Sequence, residues 1–156
     1  MCKKVNRGVK MVITVNVKTS EFDLYIGRAN RFKKLPKSKW HNPFVENKHG
    51  TRSEVITKYK HHLLQSDNLL NALPELHNMR LGCWCKPKDC HGDVLEELEY
   101  VSFYFSSTIG RSITPDEFRI LYEPFLSGCR EVPLCEIIGL IESGTFQEQR
   151  EQASTN

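Results

Sequence analysis

The densest group of reactive side chains lies in residues 81–93, which read Leu-Gly-Cys-Trp-Cys-Lys-Pro-Lys-Asp-Cys-His-Gly-Asp. The stretch holds three thiols, one imidazole and two carboxylates: Cys83, Cys85, Cys90, His91, Asp89 and Asp93. A strand-like apolar run precedes it, and a helix-like run follows it. A strand that ends in a short loop and turns into a helix N-terminus is a common ligand site in α/β proteins. The pattern therefore predicts a functional site.

One interpretation places these residues around an anionic ligand. Backbone N–H groups at 91–93, in the first helical turn, would be unpaired and would favour a phosphate or carboxylate. Gly92 would allow close backbone approach, the arginines would contact the anion, and Asn42 would bind a base or ribose. The ligand is predicted to be a phosphate-containing small molecule, a nucleotide or nucleoside derivative. The predicted ligand-binding residues are Gly27, Arg28, Asn42, Arg52, Cys85 and Gly92.

Catalysis at the same place is a further hypothesis. A cysteine near a helix N-terminus should have a lowered pKa, which makes Cys90 the candidate nucleophile. His91 or Asp93 would act as general acid or base. The reaction would then be nucleoside or nucleotide processing by a hydrolase or transferase. The alternative is structural, with Cys83 and Cys85 as small buried hydrophobes and Asp93 only complementing the helix dipole.

A zinc site is the alternative for Cys83, Cys85, Cys90 and His91, because thiolate and imidazole are the ligands that tetrahedral zinc prefers. The spacing argues against it, since the four residues fall within nine consecutive positions and not in two separated knuckles. On one strand, Cys83 and Cys85 would share a face, with Trp84 on the other, and would flank one side of the sheet without converging on an ion. We therefore expect no metal and no cofactor, with zinc as the alternative.

The elements that must position these groups follow an α/β order. Residues 11–17 are rich in β-branched side chains and predict a strand, and residues 23–28 predict a second one. A helix is expected at 51–64, because an apolar stripe follows Thr51 and Glu54, which have the spacing of a capping box.

The remaining elements of the domain come in quick succession. A shorter helix is predicted at 67–76, broken or bent near its proline. A buried strand is expected at 79–84, and a helix at 90–100 with Asp89 as its N-cap. This order predicts an α/β fold, a small Rossmann-like three-layer domain that binds its ligand within residues 9–100.

The character of the sequence changes after this domain. Thr114-Pro-Asp-Glu117 has the residue types of a helix start. We expect helices at 115–126 and 134–141 in a helical extension over residues 101–144, followed by a disordered polar tail at 145–156. The two helices are a candidate surface for a protein partner, although such apolar stripes more often belong to a core.

Charge is distributed unevenly along the chain. Residues 1–90 hold 18 basic and 7 acidic side chains, a net of +11, whereas residues 91–156 hold 4 basic and 12 acidic ones, a net of −8. The loop 28–39 carries six of the basic residues around Phe32 and is followed by Trp40. Cationic and aromatic residues together are used for phosphate contact and base stacking, so nucleic-acid binding is the second functional class. Alternatively, the two halves neutralise each other within one fold.

Composition and sequence pattern predict the cellular location of the protein. No run approaches the roughly eighteen apolar residues of a membrane span, and the first residues lack the apolar segment of a secretory signal. The six cysteines do not have the dense, regular spacing of a disulfide framework. We expect reduced thiols, no membrane association, and a cytoplasmic location, in the host cytoplasm if the chain is viral.

Five sequence blocks resemble one known family. They are Tyr25-Ile-Gly-Arg28, Trp40-His-Asn-Pro-Phe44, Gly50-Thr-Arg52 with Tyr59, Ala72-Leu-Pro-Glu-Leu76, and Leu81-Gly-Cys-Trp-Cys with Cys90-His-Gly-Asp-Val-Leu95. In this order they are similar to a small uncharacterised family of bacteria and their phages, known only as a domain of unknown function. The resemblance implies no established reaction and is compatible with a viral or phage accessory factor. It departs at His41, where the family usually has glycine and where a side chain would crowd the pocket or add a ligand group.

Overall fold

The computed structural model describes residues 11–126 and Gly139. The rest of the predicted helix 134–141 and the predicted tail 145–156 lie outside the described residues. The chain divides into two compact units, Met1–Tyr104 and Phe105–Asn156. None of the helices in the described part combines the length and apolar character that a membrane crossing requires.

Three short parallel strands form the sheet of the first unit: β1 (Ile13–Asn16), β2 (Leu24–Tyr25) and β3 (Arg80–Cys83). β3 is the central strand, in the order β1-β3-β2. Gly82 of β3 is paired on one side with Val15 and on the other with Tyr25. Leu81 of this strand is completely buried, as is Ile26 just after β2. The predicted α/β class is therefore confirmed, as a small parallel sheet with four α-helices in the described part of the chain.

The connection between β1 and β2 is unusually short for parallel strands. It spans only residues 17–23 and contains no helix, whereas two parallel strands of a sheet are normally joined by a crossover of a dozen or more residues. The connection reaches the opposite edge of the sheet, and its Phe22 ring lies against Gly82. A Cβ atom built on Gly82 would lie 2.6 Å from that ring. The absence of a side chain at Gly82 therefore makes this short route across the central strand sterically feasible.

The helices confirm most of the local predictions. They are α1 (Arg52–Leu64), α2 (Asp67–Ala72) continued by a 3₁₀ helix (Leu73–Leu76), α3 (His91–Ile109) and α4 (Pro115–Leu126). In α1, the backbone N–H of Thr51 donates to the Glu54 carboxylate at 2.7 Å, and both halves of the predicted capping box are present. One stripe of α1 is buried, at Val55, Tyr59 and Leu63.

α3 begins and ends differently from the prediction. Its N-cap is Cys90 and not Asp89, because the Cys90 sulfur accepts the N–H of Gly92 at 3.3 Å. The backbone N–H of Cys90 in turn donates to the Asp93 carboxylate at 2.8 Å. The bond to Asp93 is one half of a capping box. The sulfur makes an ordinary N-cap bond, because it accepts from the second helical residue and not from the third. The helix then continues to Ile109, so the aromatic run after Tyr100 is helical.

α4 lies in the second unit and begins as predicted. Thr114 accepts from the N–H of Glu117 at 3.2 Å, and the Glu117 carboxylate accepts from the N–H of Thr114 at 2.9 Å. Phe118 and Tyr122 are buried, and their rings stack with centroids 5.6 Å apart. Leu121 is buried with them. The apolar stripe of α4 therefore belongs to a core.

Candidate functional site

A pocket of about 300 Å³ opens at the carboxyl ends of β2 and β3. Its volume is at the lower end of the range found for small-molecule sites. The residues that follow the two strands and the start of α1 contribute most of the polar groups, among them Arg28, Cys85 and Arg52. Part of the predicted site therefore lies at a concave surface.

Seven of the predicted ligand-binding, catalytic or metal-ligating residues line this pocket. They are Gly27, Arg28, Asn42, Arg52, Cys83, Cys85 and His91. Cys90, Gly92 and Asp93 are not part of the lining. The structure thus brings Arg28 and His91 to one pocket from distant parts of the chain, and it places two of the three catalytic candidates elsewhere.

Arg28 and Asn42 hold the backbone of the pocket wall. Arg28 Nε and Nη2 donate to the carbonyl oxygen of Asn42 at 3.1 and 2.8 Å, and Nη2 also reaches the carbonyl oxygen of Phe44 at 2.7 Å. The Asn42 amide donates to the carbonyl of Val55 at 3.1 Å and accepts from the N–H of Phe44 at 2.9 Å. Both ends of this amide are used within the protein, so its position favours a structural role over the base contact predicted for it.

Arg52 connects the start of α1 to the turn before α3. Its Nη2 forms an ion pair with Glu46 at 2.7 Å, and its Nη1 donates to the carbonyl oxygen of Asp89 at 3.1 Å. Burial lowers the pKa of Arg52, but the neighbouring Cys85 sulfur and Glu46 carboxylate outweigh it and raise the pKa above its ordinary value. Arg52 is therefore largely paired within the protein.

The sulfur atoms and the imidazole of the motif converge. The ligand atoms of Cys83, Cys85, Cys90 and His91 all lie within 4.8 Å of one another. The Sγ atoms of Cys83 and Cys90 are 3.1 Å apart, and His91 Nδ1 is 3.8 Å from each of them. The prediction that Cys83 and Cys85 flank one side of the sheet without converging is wrong. β3 ends at Cys83, so strand alternation stops there, and a turn closed by Lys88 N–H and the Cys85 carbonyl at 3.0 Å reverses the chain.

The ring of His91 is fixed from two sides. Nε2 is 2.9 Å from the carbonyl oxygen of Ile26. Because a carbonyl can only accept, Nε2 carries the proton, and in the neutral ring Nδ1 directs its lone pair towards the sulfurs. The ring of Tyr59 meets it edge-on, with centroids 5.2 Å apart. Burial lowers the pKa of His91, but hydrogen bonds with Cys83 and Cys85 outweigh it and raise the pKa to about 9.

The thiols of the cluster differ in acidity. Hydrogen bonds from Cys83, Cys90 and His91 lower the pKa of the Cys85 thiol. Hydrogen bonds with Cys83 and Cys85, together with burial, raise the pKa of Cys90. The lowered pKa predicted for Cys90 is therefore wrong, because its sulfur is buried among other sulfurs. The more acidic thiol is Cys85, which is half-buried and lines the pocket.

Gly92 and Asp93 act within the fold at the start of α3. A Cβ atom built on Gly92 would lie 2.4 Å from the Thr14 hydroxyl oxygen, so this glycine lets α3 approach β1 closely. The Asp93 carboxylate caps the helix and forms an ion pair with Lys86. The N–H groups of Gly92 and Asp93 bond to the sulfur and the carbonyl oxygen of Cys90, at 3.3 and 3.0 Å. They are not directed at the pocket.

Three aromatic residues of the pocket lining, Tyr25, Phe44 and Trp84, were not predicted to contribute to the site. Trp84 Nε1 donates to the Tyr25 hydroxyl at 2.9 Å, and that hydroxyl donates to the carbonyl oxygen of Arg28 at 2.7 Å. Trp84 was expected on the opposite face from Cys83, but the strand has already ended, and Trp84 and Tyr25 both line the pocket. Tyr25 and Trp84 belong to the blocks Tyr25-Ile-Gly-Arg28 and Leu81-Gly-Cys-Trp-Cys. Their position in these blocks could have indicated that they line the pocket.

The cationic loop 28–39 presents one aromatic side chain to solvent. Phe32 is 99% exposed between Arg31 and Lys33, whereas Trp40 is only 1% exposed and belongs to the core. Trp40 is therefore unavailable for base stacking. His41, at the position where the family usually has glycine, bonds through Nδ1 to the carbonyl oxygen of Ser38 at 2.8 Å and is not part of the pocket lining.

Comparison with known proteins supports the resemblance to an uncharacterised family that includes a phage protein. Residues 9–100 match the family described as Domain of unknown function (DUF4326). The chain is also 35% identical over 88 residues to the "Uncharacterized 12.4 kDa protein in nrdA-td intergenic region" of Enterobacteria phage T4, covering 54% of this chain and 73% of the phage protein. No solved structure matches the chain significantly. The matched segment includes every residue of the pocket lining and the thiol cluster, by which we mean Cys83, Cys85, Cys90 and His91. The chain therefore belongs to the DUF4326 family.

Proposed function

We propose that the protein binds a phosphate-containing small molecule of the nucleotide or nucleoside class in the pocket beside β2 and β3. The observation that carries this proposal is the combination of guanidinium and aromatic groups around about 300 Å³ of space. Arg28 and Arg52 supply positive charge, and Tyr25, Phe44 and Trp84 supply aromatic surface. Guanidinium groups bind phosphate oxygens well, and aromatic rings stack on nucleobases.

The position of the pocket supports this proposal. In open parallel α/β sheets, ligands bind outside the carboxyl ends of the strands, and Arg28 and Trp84 follow β2 and β3 at that edge. The Rossmann-like three-layer arrangement is part of the same proposal. The neighbouring loop 28–39 would raise the local concentration of an anionic ligand through its charge.

Two carboxylates in the lining fit a nucleoside. Glu46 and Asp89 both line the pocket, and carboxylates accept hydrogen bonds from ribose hydroxyls in nucleotide sites. Glu46 also neutralises Arg52 through their ion pair at 2.7 Å. Arg28 is therefore the cation that we expect to contact the phosphate, since its Nη1 has no hydrogen bond within the described residues.

The proposal is confined to binding. Of the three catalytic candidates, only His91 lines the pocket. Cys90 is 1% exposed, and Asp93 is held by Lys86 and by the start of α3. Processing of the ligand by a hydrolase or transferase would have to use other groups.

Isothermal titration of the full-length protein tests the proposal. Inorganic phosphate, nucleosides, and nucleoside mono- and diphosphates are titrated separately, and a nucleotide is expected to bind more tightly than either of its parts. Arg28→Ala should weaken this binding about 10- to 100-fold, the effect of one charge-assisted hydrogen bond. Arg31→Ala is the matched control, because it removes the same charge from the exposed loop. The proposal is wrong if no compound binds at millimolar concentration, or if both variants lose affinity equally.

A second candidate function is favoured by the exposure of Phe32. An aromatic ring 99% exposed among cationic side chains suits base stacking on single-stranded nucleic acid. Binding of mixed oligonucleotides should then fall steeply with salt and be lost on neutralising Lys33, Lys34 and Lys37. A binding constant independent of salt would rule this function out.

A further inference from the structure

We infer that Cys83, Cys85, Cys90 and His91 form a tetrahedral metal site, and that Zn²⁺ is the ion this ligand set selects. Their four ligand atoms lie within 4.8 Å of one another. Zinc–sulfur bonds of about 2.3 Å and zinc–nitrogen bonds of about 2.0 Å place tetrahedral ligand atoms about 3.5–3.8 Å apart. His91 Nδ1 already lies 3.8 Å from two of the sulfurs. The sulfurs of Cys83 and Cys90, at 3.1 Å, would separate by a fraction of an ångström to admit the ion.

The orientation of His91 is an independent argument for the site. Metal-binding histidines commonly donate their second ring N–H to a carboxylate or a backbone carbonyl, which fixes the tautomer and directs the other nitrogen at the ion. His91 makes such a bond to the carbonyl of Ile26 at 2.9 Å. The edge-on ring of Tyr59 prevents the imidazole from rotating away. The ring is thus prearranged to offer Nδ1 as a ligand.

The surroundings of the sulfurs also suit thiolates. The N–H of Gly92 donates to the Cys90 sulfur at 3.3 Å. Hydrogen bonds of this kind stabilise metal-bound thiolates. Three thiolates and one Zn²⁺ would leave one net negative charge.

The burial of the cluster favours a bound ion over a disulfide. Cys83, Cys90 and His91 are 3%, 1% and 7% exposed, so a polar ring is enclosed together with sulfur atoms. A disulfide between Cys83 and Cys90 would leave Cys85 and the orientation of His91 unexplained. Soft thiolates with one imidazole are ligands that select zinc over magnesium or calcium.

The ion would also connect three separate segments of the chain. Its ligands come from the end of β3, from the following turn and from the first residues of α3, so it would join these segments at the pocket wall. Cys85 is the ligand closest to solvent, as a half-buried residue. The zinc site does not depend on which small molecule the pocket binds, and the experiments that test it need no such ligand.

Metal analysis of the full-length protein tests this inference. Protein expressed with added zinc and purified without chelator should carry about one equivalent of zinc by mass spectrometry. Competition with a chelator should show that Cys85→Ser and His91→Ala each lower zinc affinity at least tenfold. His61→Ala is the matched control, since His61 is an exposed histidine on α1, and it should keep the wild-type affinity.

A second measurement uses the wild-type chain alone. Cobalt substituted for zinc should show the visible bands of a tetrahedral ion and near-ultraviolet charge transfer from thiolate. Alkylation mapped by mass spectrometry should find Cys83, Cys85 and Cys90 protected in the zinc-loaded protein and modified after chelation. The inference is overturned by less than about half an equivalent of zinc after reconstitution, by a disulfide between Cys83 and Cys90 in the purified protein, or by unchanged zinc affinity in both variants.

Discussion

The side-chain amide of Asn42 joins two backbone segments beside the pocket. It donates to the carbonyl of Val55 in α1 and accepts from the N–H of Phe44 in the following loop. Arg28 then binds the backbone carbonyl of the same asparagine. The sequence suggested that Asn42 contacts a base, because an amide can both donate and accept. It did not reveal that these bonds are formed within the protein, since the partner in α1 is brought close only by the fold.

We expect Asn42→Ala to reduce the free energy of unfolding by about 1–3 kcal/mol, because a buried amide and its two partners lose their bonds. Asn42→Asp should show a smaller loss, since it keeps the acceptor for the N–H of Phe44 and loses only the donor to Val55. Urea denaturation followed by circular dichroism measures both. Full stability in Asn42→Ala, combined with lost ligand binding, would support a direct ligand contact instead.

Helices and strands differ in how well the sequence predicted them. The starts of α1 and α4 were correct, because Thr51 with Glu54 and Thr114 with Glu117 are local signals that act within one helical turn. The end of β3 at Cys83 was not predicted, since an apolar and aromatic run continues past it. Extending the alternation of a strand past Cys83 was enough to conceal the convergence of the thiols, because it would put Cys83 and Cys85 on one face of the strand.

The cap of α4 should make stability depend on pH. Hydrogen bonding to Arg111 holds the pKa of Glu117 below its ordinary value of 4.5. The ionised carboxylate therefore stabilises the folded state above about pH 4.5, and this contribution is lost as the pH falls through the lowered pKa. Glu117→Gln should cost about 1 kcal/mol at neutral pH, and the difference from wild type should shrink in acid.

Amide hydrogen exchange across α4 at pH 7, 5 and 3 measures this dependence. Arg111→Gln should reproduce most of the loss at pH 7, because it removes the same pair at 2.8 Å. A difference between wild type and Glu117→Gln that grows as the pH falls would contradict the assignment.

At the scale of the whole molecule, the binding features are concentrated in the first unit. The pocket and the thiol cluster lie within residues 25–91, inside both the family match and the unit Met1–Tyr104. The α/β class followed from the order of the predicted elements. The short connection from β1 to β2 could not be predicted from that order. It depends on the packing of Phe22 against Gly82, a residue far from Phe22 in the sequence.

A fragment ending after α3, at Gly110, should therefore keep the binding properties of the full chain. Gly110 has φ of 79°, the left-handed conformation of a helix terminus, and is a natural place to stop. We expect its zinc affinity and ligand affinity to lie within about twofold of the full chain, because every residue of the pocket and of the thiol cluster precedes Gly110. A folded fragment that binds zinc but has lost nucleotide affinity would contradict this expectation.

The position of Trp84 at the pocket has a practical consequence. The chain contains two tryptophans, and they occupy opposite environments, since Trp40 is 1% exposed while Trp84 is half-buried at the pocket. Their fluorescence should separate into a blue-shifted component that acrylamide cannot quench and a red-shifted component that it can. Anything that enters the cleft would change only the second component, whereas denaturation would change both. The protein thus carries its own pair of optical reporters.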